Sequence, residues 1–221
     1  MTRHATAGIA GAERNAMPII DLSHTIRDGM AQYPGDAPPP RVIRRMTFAE
    51  GGHLVSALDF TCHLGTHLDT PLHFLDGQPG LEAMPLERFR GRGCVVDAPA
   101  GEIPPEIVAG LDLGPVDYLI LRTGWERHWG TPRYYRDWPW LSPALARALA
   151  GAGLKGVGLD SPSLDPLDGR ICHDLFAAAG LINVENLANL AALPAGLFDF
   201  LVLPLKLAGT EASPVRAVAL I

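Results

Sequence analysis

Four side chains of types that commonly bind metals lie within eleven residues of the sequence: His63, His67, Asp69 and His73. All four stand at odd positions, and the even positions between them hold only leucine or threonine. Such alternation places the four side chains on one face of an extended chain. Imidazole and carboxylate suit Zn²⁺ or Mn²⁺, and a carboxylate can bridge two ions. The pattern predicts a metal centre with one or two ions.

The segment cannot stay extended if these side chains share a metal. At about 3.3 Å per residue, His63 and His73 would lie roughly 33 Å apart, whereas metal ligands lie about 2.0–2.2 Å from the ion. Gly65 and Pro71 are the residues that permit the chain to fold back. We therefore predict a turn at residues 65–66, a short extended piece at 67–69 and a second bend at Pro71.

The predicted chemistry is hydrolysis. A catalytic metal site keeps an open position, where the pKa of a bound water falls to about 7 and the resulting hydroxide attacks a carbonyl. His73 would then transfer a proton to the leaving group. The plain alternative for any one histidine is a surface residue or a hydrogen-bonded core residue. Four such residues around a glycine and a proline fit that alternative poorly.

The remaining ligands must come from elsewhere in the chain. His173 and Glu185 are candidates, because each interrupts apolar surroundings. A helix N-terminus near Asp174 is the structural alternative for the first of these two positions. We interpret Cys62 and Cys172 as small buried residues and His24 as a hydrogen-bonding residue at a strand end. Weaker candidates for contacts in the site are His128, Asp160, Lys206 and Ser213.

The composition excludes several classes of partner. The net charge is −6 and no run of Lys or Arg stands out, which argues against nucleic acid. No window approaches the roughly 18 apolar residues of a membrane span. The three cysteines suggest no disulfide framework and fit a reducing compartment. We expect a cytoplasmic enzyme with a flexible tail at residues 1–16 and one domain at 17–221.

Frequent proline and glycine favour short strands over long helices. The predicted strands are 18–22, 41–48, 54–62, 93–97, 117–122, 156–159, 181–183 and 199–204. The predicted helices are 82–88, 104–110, 142–151, 173–179 and 185–190. Strands come first and then alternate with helices, so an α/β or α+β single domain is expected.

The string His63-x-Gly-Thr-His67-x-Asp69-x-Pro-x-His73 resembles the signature of the cyclase-like metal-dependent hydrolases. That family includes kynurenine formamidases and isatin hydrolases. The resemblance extends from about Ile20 to the C-terminus. Weaker landmarks follow in the family's order, namely residues 21–24, 33–36, 121–125, 158–163 and 203–206.

This resemblance implies a role for each residue of the site. His63, His67 and Asp69 would hold one metal, and Asp69 would bridge to a second metal held by His173 and Glu185. His73 matches the family's proton-transfer histidine. The expected fold is a compact α/β domain with a mixed, barrel-like β core of the swivelling β/β/α type and flanking helices. Assembly as a homodimer or tetramer is also implied.

The chain departs from the kynurenine formamidases at Tyr33, where those enzymes carry a tryptophan that lines the substrate pocket. Tyrosine still offers an aromatic face, so Tyr33 and Trp125 are the predicted substrate contacts, with Trp129, Tyr134 and Tyr135 as other residues that would close the pocket. The leading substrate is an aryl formamide such as N-formylkynurenine. A cyclic amide of the isatin type, a metal-dependent cyclisation or dehydration, and a non-catalytic metal-binding protein are the alternatives.

Overall fold

The computed structural model describes residues 17–36 and 38–221. The predicted flexible tail at residues 1–16 lies outside the described residues. Within them, the predicted single α/β domain with a curled, barrel-like sheet is confirmed. No described helix has the length and apolar character needed to cross a membrane.

The described residues form thirteen strands. In chain order they are β1 (Ile19–Asp21), β2 (Arg41–Met46), β3 (Val55–Asp59), β4 (His67–Asp69), β5 (Arg90–Asp97), β6 (Glu102–Ile103), β7 (Tyr118–Arg122), β8 (Trp140–Leu141), β9 (Gly156–Leu159), β10 (Ile182–Glu185), β11 (Leu197–Leu201), β12 (Ala212–Pro214) and β13 (Val218–Leu220).

Nine of these strands build one mixed sheet in the order β1-β13-β11-β5-β7-β9-β10-β4-β12. The central strands β5, β7, β9 and β10 are parallel, and the outer strands are antiparallel. The hairpin β2–β3 and the short pair β6–β8 form two further sheets. β4 and β12 lie at one edge of the large sheet, beside the end of the parallel set.

Both faces of the large sheet are buried. Along β7, Tyr118 and Ile120 enter one apolar cluster, whereas Leu119 and Leu121 enter another on the opposite face. Alternate side chains of a strand point to opposite faces, and a parallel sheet covered on both faces reads as a continuous apolar run. This explains the uninterrupted apolar sequence of β7.

Three α-helices accompany the strands in the described part of the chain: α1 (Phe48–Gly51), α2 (Pro143–Ala150) and α3 (Ile171–Ala179). α2 begins as the sequence predicts, because the Ser142 side chain accepts a hydrogen bond from the Leu145 N–H and proline follows at the first helical position. Leu149 of α2 and Phe176 of α3 pack in the second cluster. These two helices therefore cover that face of the sheet.

Three predicted helices are wrong. Residues 82–88 form two 3₁₀ turns, Leu81–Ala83 and Leu86–Phe89, because Pro85 interrupts the segment. Residues 104–110 form only the turn Pro105–Val108. In the segment 185–190, Asn186 and Asn189 both have a φ of 57°, a left-handed conformation that no α-helix contains.

The eight predicted strands are confirmed, most with shifted ends, and β4 coincides with the extended piece predicted at 67–69; the other four strands were missed. β6 and β8 have two residues each, and β12 and β13 have three. Segments this short carry too few side chains for alternation to stand out. The remaining 3₁₀ turns are Pro71–His73, Trp125–His128 and Leu190–Ala192.

Candidate metal centre

The predicted chain reversal before β4 is present at Gly65. This glycine has a φ of 63°, which residues with a Cβ adopt at a cost. The Thr66 hydroxyl then donates a hydrogen bond to the carbonyl oxygen of Asn186 at 2.6 Å. β4 starts at the next residue and pairs antiparallel with β10, where His67 stands opposite Glu185. This register carries two predicted ligands, distant in sequence, to one place.

The second bend lies at Pro71, as predicted. Residues Pro71–His73 form a 3₁₀ turn in which the His73 N–H donates to the Thr70 carbonyl oxygen at 3.1 Å. The turn carries the His73 ring back over His63, with ring centroids 4.2 Å apart. The two histidines at the ends of the motif are thereby neighbours.

A backbone contact orients the His67 ring. Its Nδ1 lies 2.9 Å from the carbonyl oxygen of Gly65, to which the Nδ1–H donates. Nε2 therefore faces the interior of the site, 3.5 Å from Asp69 Oδ1 and 3.6 Å from Glu185 Oε2. A hydrogen bond to one ring nitrogen leaves the other free to act as a metal ligand.

His173 lies in the first turn of α3 and is oriented by Asp165. Its Nδ1 is 2.7 Å from Asp165 Oδ2, and its Nε2 is 3.2 Å from Glu185 Oε1. The same carboxylate accepts the backbone N–H groups of Cys172 and His173. One buried carboxylate thus holds both the helix end and the ring that points at Glu185.

Asp69 is the residue shared by two potential ligand clusters. One cluster contains His63, Asp69 and His73, and the other contains His67, Asp69 and Glu185; within each, the donor atoms lie within 4.8 Å of one another. These groupings differ from the assignment of ligands that the resemblance implies, but Asp69 belongs to both of them.

The donor set fits a divalent cation. Asp69 Oδ1 is buried and lacks a hydrogen bond of good geometry, although it lies 2.9 Å from His63 Nδ1. Burial raises the pKa of Asp69, but the charges of the facing imidazoles outweigh it and hold the pKa below its usual range. A buried carboxylate oxygen without a hydrogen bond, among imidazole nitrogens, is an arrangement that a bound cation satisfies.

The carboxylates of the site also favour positive charge on the groups around them. Burial lowers the pKa of His63 and His173, but the nearby carboxylates outweigh it and raise these pKa values to about 9 and about 10. The contributing carboxylates are those of Asp69, Asp165, Glu185 and Glu211. Desolvation lowers the pKa of His73 to about 4, so this imidazole is neutral near pH 7.

A cavity of about 260 Å³ opens onto the cluster. It brings together every predicted metal ligand, the predicted proton-transfer residue His73 and the predicted contact Tyr33. The lining residues are Tyr33, Asp36, His63, His67, Asp69, His73, Phe74, Tyr135, Pro162, Ser163, Gly169, His173, Glu185 and Asn186.

Trp125 does not line this cavity, so its predicted substrate contact is not supported. The residue is 3% exposed and packs with Tyr134 and Trp138 in an aromatic cluster. Its indole N–H donates to the Tyr134 carbonyl oxygen at 2.9 Å. Tyr135, the residue that follows Tyr134, lines the cavity instead. Large aromatic residues in a loop are as suited to packing as to binding, and local sequence does not separate the two.

The weaker candidates also lie outside the cavity lining. His24 stacks on Trp129 with ring centroids 3.8 Å apart. Asp160 is buried and accepts hydrogen bonds from the N–H and hydroxyl of Thr123. The remaining positions have other environments: Lys206 is exposed, His128 faces Trp125, Ser213 is buried and hydrogen-bonded to Pro214, Cys172 is buried and Cys62 is half-buried.

Several residues of the site were not predicted from the sequence. Phe74 lines the cavity directly after His73, and Asn186 donates to the Gly65 carbonyl oxygen at 2.8 Å. Asp165 and Glu211 contact the rings of His173 and His63. Phe74 and Asn186 each directly follow a predicted site residue, and this adjacency could have identified them. No such signal marks the carboxylates of Asp165 and Glu211, because each contacts a histidine in a different segment of the chain.

The chain matches the family model described as "Putative cyclase" over residues 20–166. A kynurenine formamidase from Salinibacter ruber is 33% identical over 211 residues, covering 91% of this chain and 97% of that protein.

Solved structures of the same fold are similar over most of their length. Isatin hydrolase A from Labrenzia aggregata, bound to benzyl benzoate, has a TM-score of 0.82 and 25% identity, covering 93% of this chain and 94% of its own. A structure described as a potential metal-dependent hydrolase with cyclase activity has a TM-score of 0.78 and 28% identity, covering 92% and 98%. The family match extends over more than half of the chain and contains the whole His63–His73 motif. The chain therefore belongs to the putative cyclase family of metal-dependent hydrolases.

Proposed function

We propose that this protein hydrolyses the C–N bond of a small amide in a metal-dependent reaction, and that an aryl formamide of the N-formylkynurenine type is its substrate. The observation that carries the proposal is the position of Asp69, whose buried carboxylate belongs to both ligand clusters at the base of an open cavity. The similarity to a kynurenine formamidase at 33% identity supports the substrate class.

The metal in this proposal is Zn²⁺ or Mn²⁺, with one or two ions per chain. His63, His67 and Asp69 would hold one ion, and His173 and Glu185 would hold a second ion with Asp69 as the bridge. Imidazole and carboxylate donors accept both metals. When bound, such an ion polarises the carbonyl of the substrate and activates water at neutral pH.

His73 is the proposed proton-transfer residue. Hydrolysis of a formamide joins the oxygen of water to the carbonyl carbon, breaks the C–N bond and places a proton on the nitrogen. Desolvation keeps His73 neutral near pH 7, so its imidazole first accepts the proton that the water loses. The same residue then returns the proton to the leaving nitrogen.

The cavity supports a small aromatic substrate. Its volume of about 260 Å³ lies just below the roughly 300–1,000 Å³ that is usual for ligand sites. Tyr33, Phe74 and Tyr135 give it aromatic walls. Burial and nearby carboxylates raise the pKa of Tyr33, so its hydroxyl stays protonated and can donate a hydrogen bond to a substrate oxygen.

A cyclic amide of the isatin type is the second candidate. The similarity to an isatin hydrolase at a TM-score of 0.82 favours it, and the reaction would use the same residues on an amide within a ring. Metal-dependent cyclisation or dehydration is a third candidate, which the family's description supports.

We also propose that the protein is a cytoplasmic homodimer or tetramer. The three cysteines are free, which supports a reducing compartment. The hairpin β2–β3 forms its own two-stranded sheet and exposes Leu58. Isolated two-stranded hairpins are marginally stable in water, so packing of this hairpin against a second copy would stabilise it, which supports the oligomer. Light scattering in solution measures the mass.

The deciding experiment combines metal analysis with assays on N-formylkynurenine and isatin. Bound metal with turnover of the formamide supports the leading proposal, whereas turnover of isatin alone replaces it with the second candidate. In H₂¹⁸O, hydrolysis places the label in the product acid, and a dehydration does not. Absence of metal after addition of Zn²⁺ or Mn²⁺ would overturn the proposal.

A further inference from the structure

The His63 ring lies between two carboxylates from different parts of the chain. Its Nδ1 is 2.9 Å from Asp69 Oδ1, inside the ligand cluster. Its Nε2 is 3.1 Å from Oε1 of Glu211, a residue that does not belong to that cluster. Glu211 does not line the cavity and is 148 residues away in sequence.

The orientation of His63 is the reverse of the other two rings. In His67 and His173, Nδ1 is held by an oxygen outside the cluster and Nε2 faces inwards. In His63, Nε2 is the nitrogen held from outside and Nδ1 faces Asp69. A ligand histidine binds metal through one nitrogen and keeps a proton on the other, so the outer partner decides which nitrogen is used.

We infer that Glu211 is a positioning residue for the metal centre: it accepts the Nε2–H of His63 and so presents Nδ1 of that ring as the metal-binding atom. The inference rests on the proposed metal centre and deepens it. Glu211 contacts no reacting atom, and its role is to fix the ring and the position of its proton.

The backbone holds Glu211 in place independently of its side chain. Its carbonyl oxygen accepts hydrogen bonds from the N–H and the hydroxyl of Thr70, both at 2.9 Å. The following residue, Ala212, pairs with Asp69 in the β12–β4 ladder. A substitution that changes only the Glu211 side chain therefore removes the contact with His63 and leaves these anchors in place.

The first test measures Zn²⁺ affinity of the full chain and its Glu211→Ala and Glu211→Gln variants. Loss of an outer partner of this kind typically weakens metal binding by about 10–100-fold, and we expect that loss in Glu211→Ala. Glu211→Gln should restore most of the affinity, because the amide oxygen still accepts the Nε2–H. Thermal unfolding of the metal-free variants checks that both fold, and we expect a cooperative transition in each.

Glu82→Ala is the matched control. The Glu82 carboxylate accepts the Gly209 N–H at 3.0 Å, so it anchors the same loop without touching a histidine. Unchanged Zn²⁺ affinity in this variant is the expected result. An equal loss in Glu82→Ala and Glu211→Ala would mean that loop anchoring is the cause, and the inference would be overturned.

The second test identifies the nitrogen used, by ¹H–¹⁵N correlation spectra of the histidine rings in the Zn²⁺-loaded protein. We expect His63 to carry its proton on Nε2 and the metal on Nδ1, with the opposite assignment for His67 and His173. Metal on Nε2 of His63 would overturn the inference and leave the metal centre intact. Failure of the wild-type chain to bind Zn²⁺ would instead remove the proposed centre itself.

Discussion

Asp165 Oδ2 lies 2.7 Å from His173 Nδ1 and also accepts the backbone N–H of the same residue. A single buried carboxylate therefore holds the ring and the start of α3 together. This contact restrains the ring with its Nε2 facing Glu185. The stability of the helix end and the geometry of the centre thus depend on one residue.

Replacing Asp165 by alanine should destabilise the metal-free protein by about 1–3 kcal/mol, because the buried N–H groups of Cys172 and His173 lose their acceptor. Denaturant unfolding measures the change. Asp174→Ala is the matched control, since Asp174 is exposed and forms its ion pair with the exposed Arg170; because solvent screens such a pair, we expect a much smaller change there. Equal effects at the two sites would contradict the structural role of Asp165.

Substitution of His73 separates metal binding from proton transfer. We expect His73→Ala to retain its metal and to lose turnover by about 10²–10⁴-fold, the usual contribution of a positioned acid–base group. His67→Ala is the comparison, and it should lose metal because the His67 ring faces both Asp69 and Glu185. Metal analysis and kcat measure the two effects.

His73 shares one potential ligand cluster with His63 and Asp69, so the alternative to proton transfer is that His73 itself binds the metal. If His73→Ala loses metal together with activity, His73 is a ligand and another group must transfer the proton. Turnover at the wild-type rate would remove His73 from the reaction altogether.

Tyr33 should act on substrate binding rather than on folding. We expect Tyr33→Ala to raise KM several-fold with a smaller change in kcat, because the side chain lines the cavity and is not fully buried. Tyr33→Trp, which installs the residue of the kynurenine formamidases, should retain activity.

In contrast, Trp125→Ala should lower stability by about 3–5 kcal/mol, since its ring is buried. A KM effect of Trp125→Phe, without loss of stability, would restore the original prediction for that residue.

His24 makes stability depend on pH. Burial against Trp129 lowers its pKa to about 4, below the value of about 6.5 in an unfolded chain. At a pH between these two pKa values, the unfolded state binds more protons at His24 than the folded state does. The contribution of neutral His24 to the free energy of unfolding is therefore complete above pH 6.5 and decreases as the pH falls towards 4.

We expect the wild-type chain to lose about 1 kcal/mol more stability than His24→Phe when the pH is lowered from 7 to 5. The difference stays this small because the imidazole is partly exposed and solvent screens its charge. Denaturant unfolding of both proteins at the two pH values gives the difference. Parallel changes in the two proteins would show that His24 does not titrate between the folded and unfolded states as described.

Much of the site could be predicted from one short segment. Gly65 and Pro71 are local signals of a chain reversal, and the structure has its turns at both positions. The alternation around His67 and Asp69 predicted that the two side chains share a face, and both line the same cavity. β7 was predicted because an unbroken apolar run bounded by polar residues is typical of a buried strand.

Other features depended on contacts that no local pattern records. The predicted helix over 185–190 is wrong because Asn186 and Asn189 adopt left-handed conformations. Asparagine adopts this conformation more readily than most residues, but its presence in a sequence does not predict it. Trp125 and Tyr135 are both aromatic residues of one loop, and only packing decided that the first is buried and the second lines the cavity.

The sequence by itself determined which metal-binding types of side chain stand close together, their spacing and the mixed α/β class, because these follow from side-chain chemistry and from the period of apolar residues. Tertiary structure decided which atoms face the centre. The outer partners Asp165 and Glu211 reach His173 and His63 only through the packing of α3 and the β12–β4 ladder. An imidazole ring is oriented by a hydrogen-bond partner, and the fold decides which residue becomes that partner.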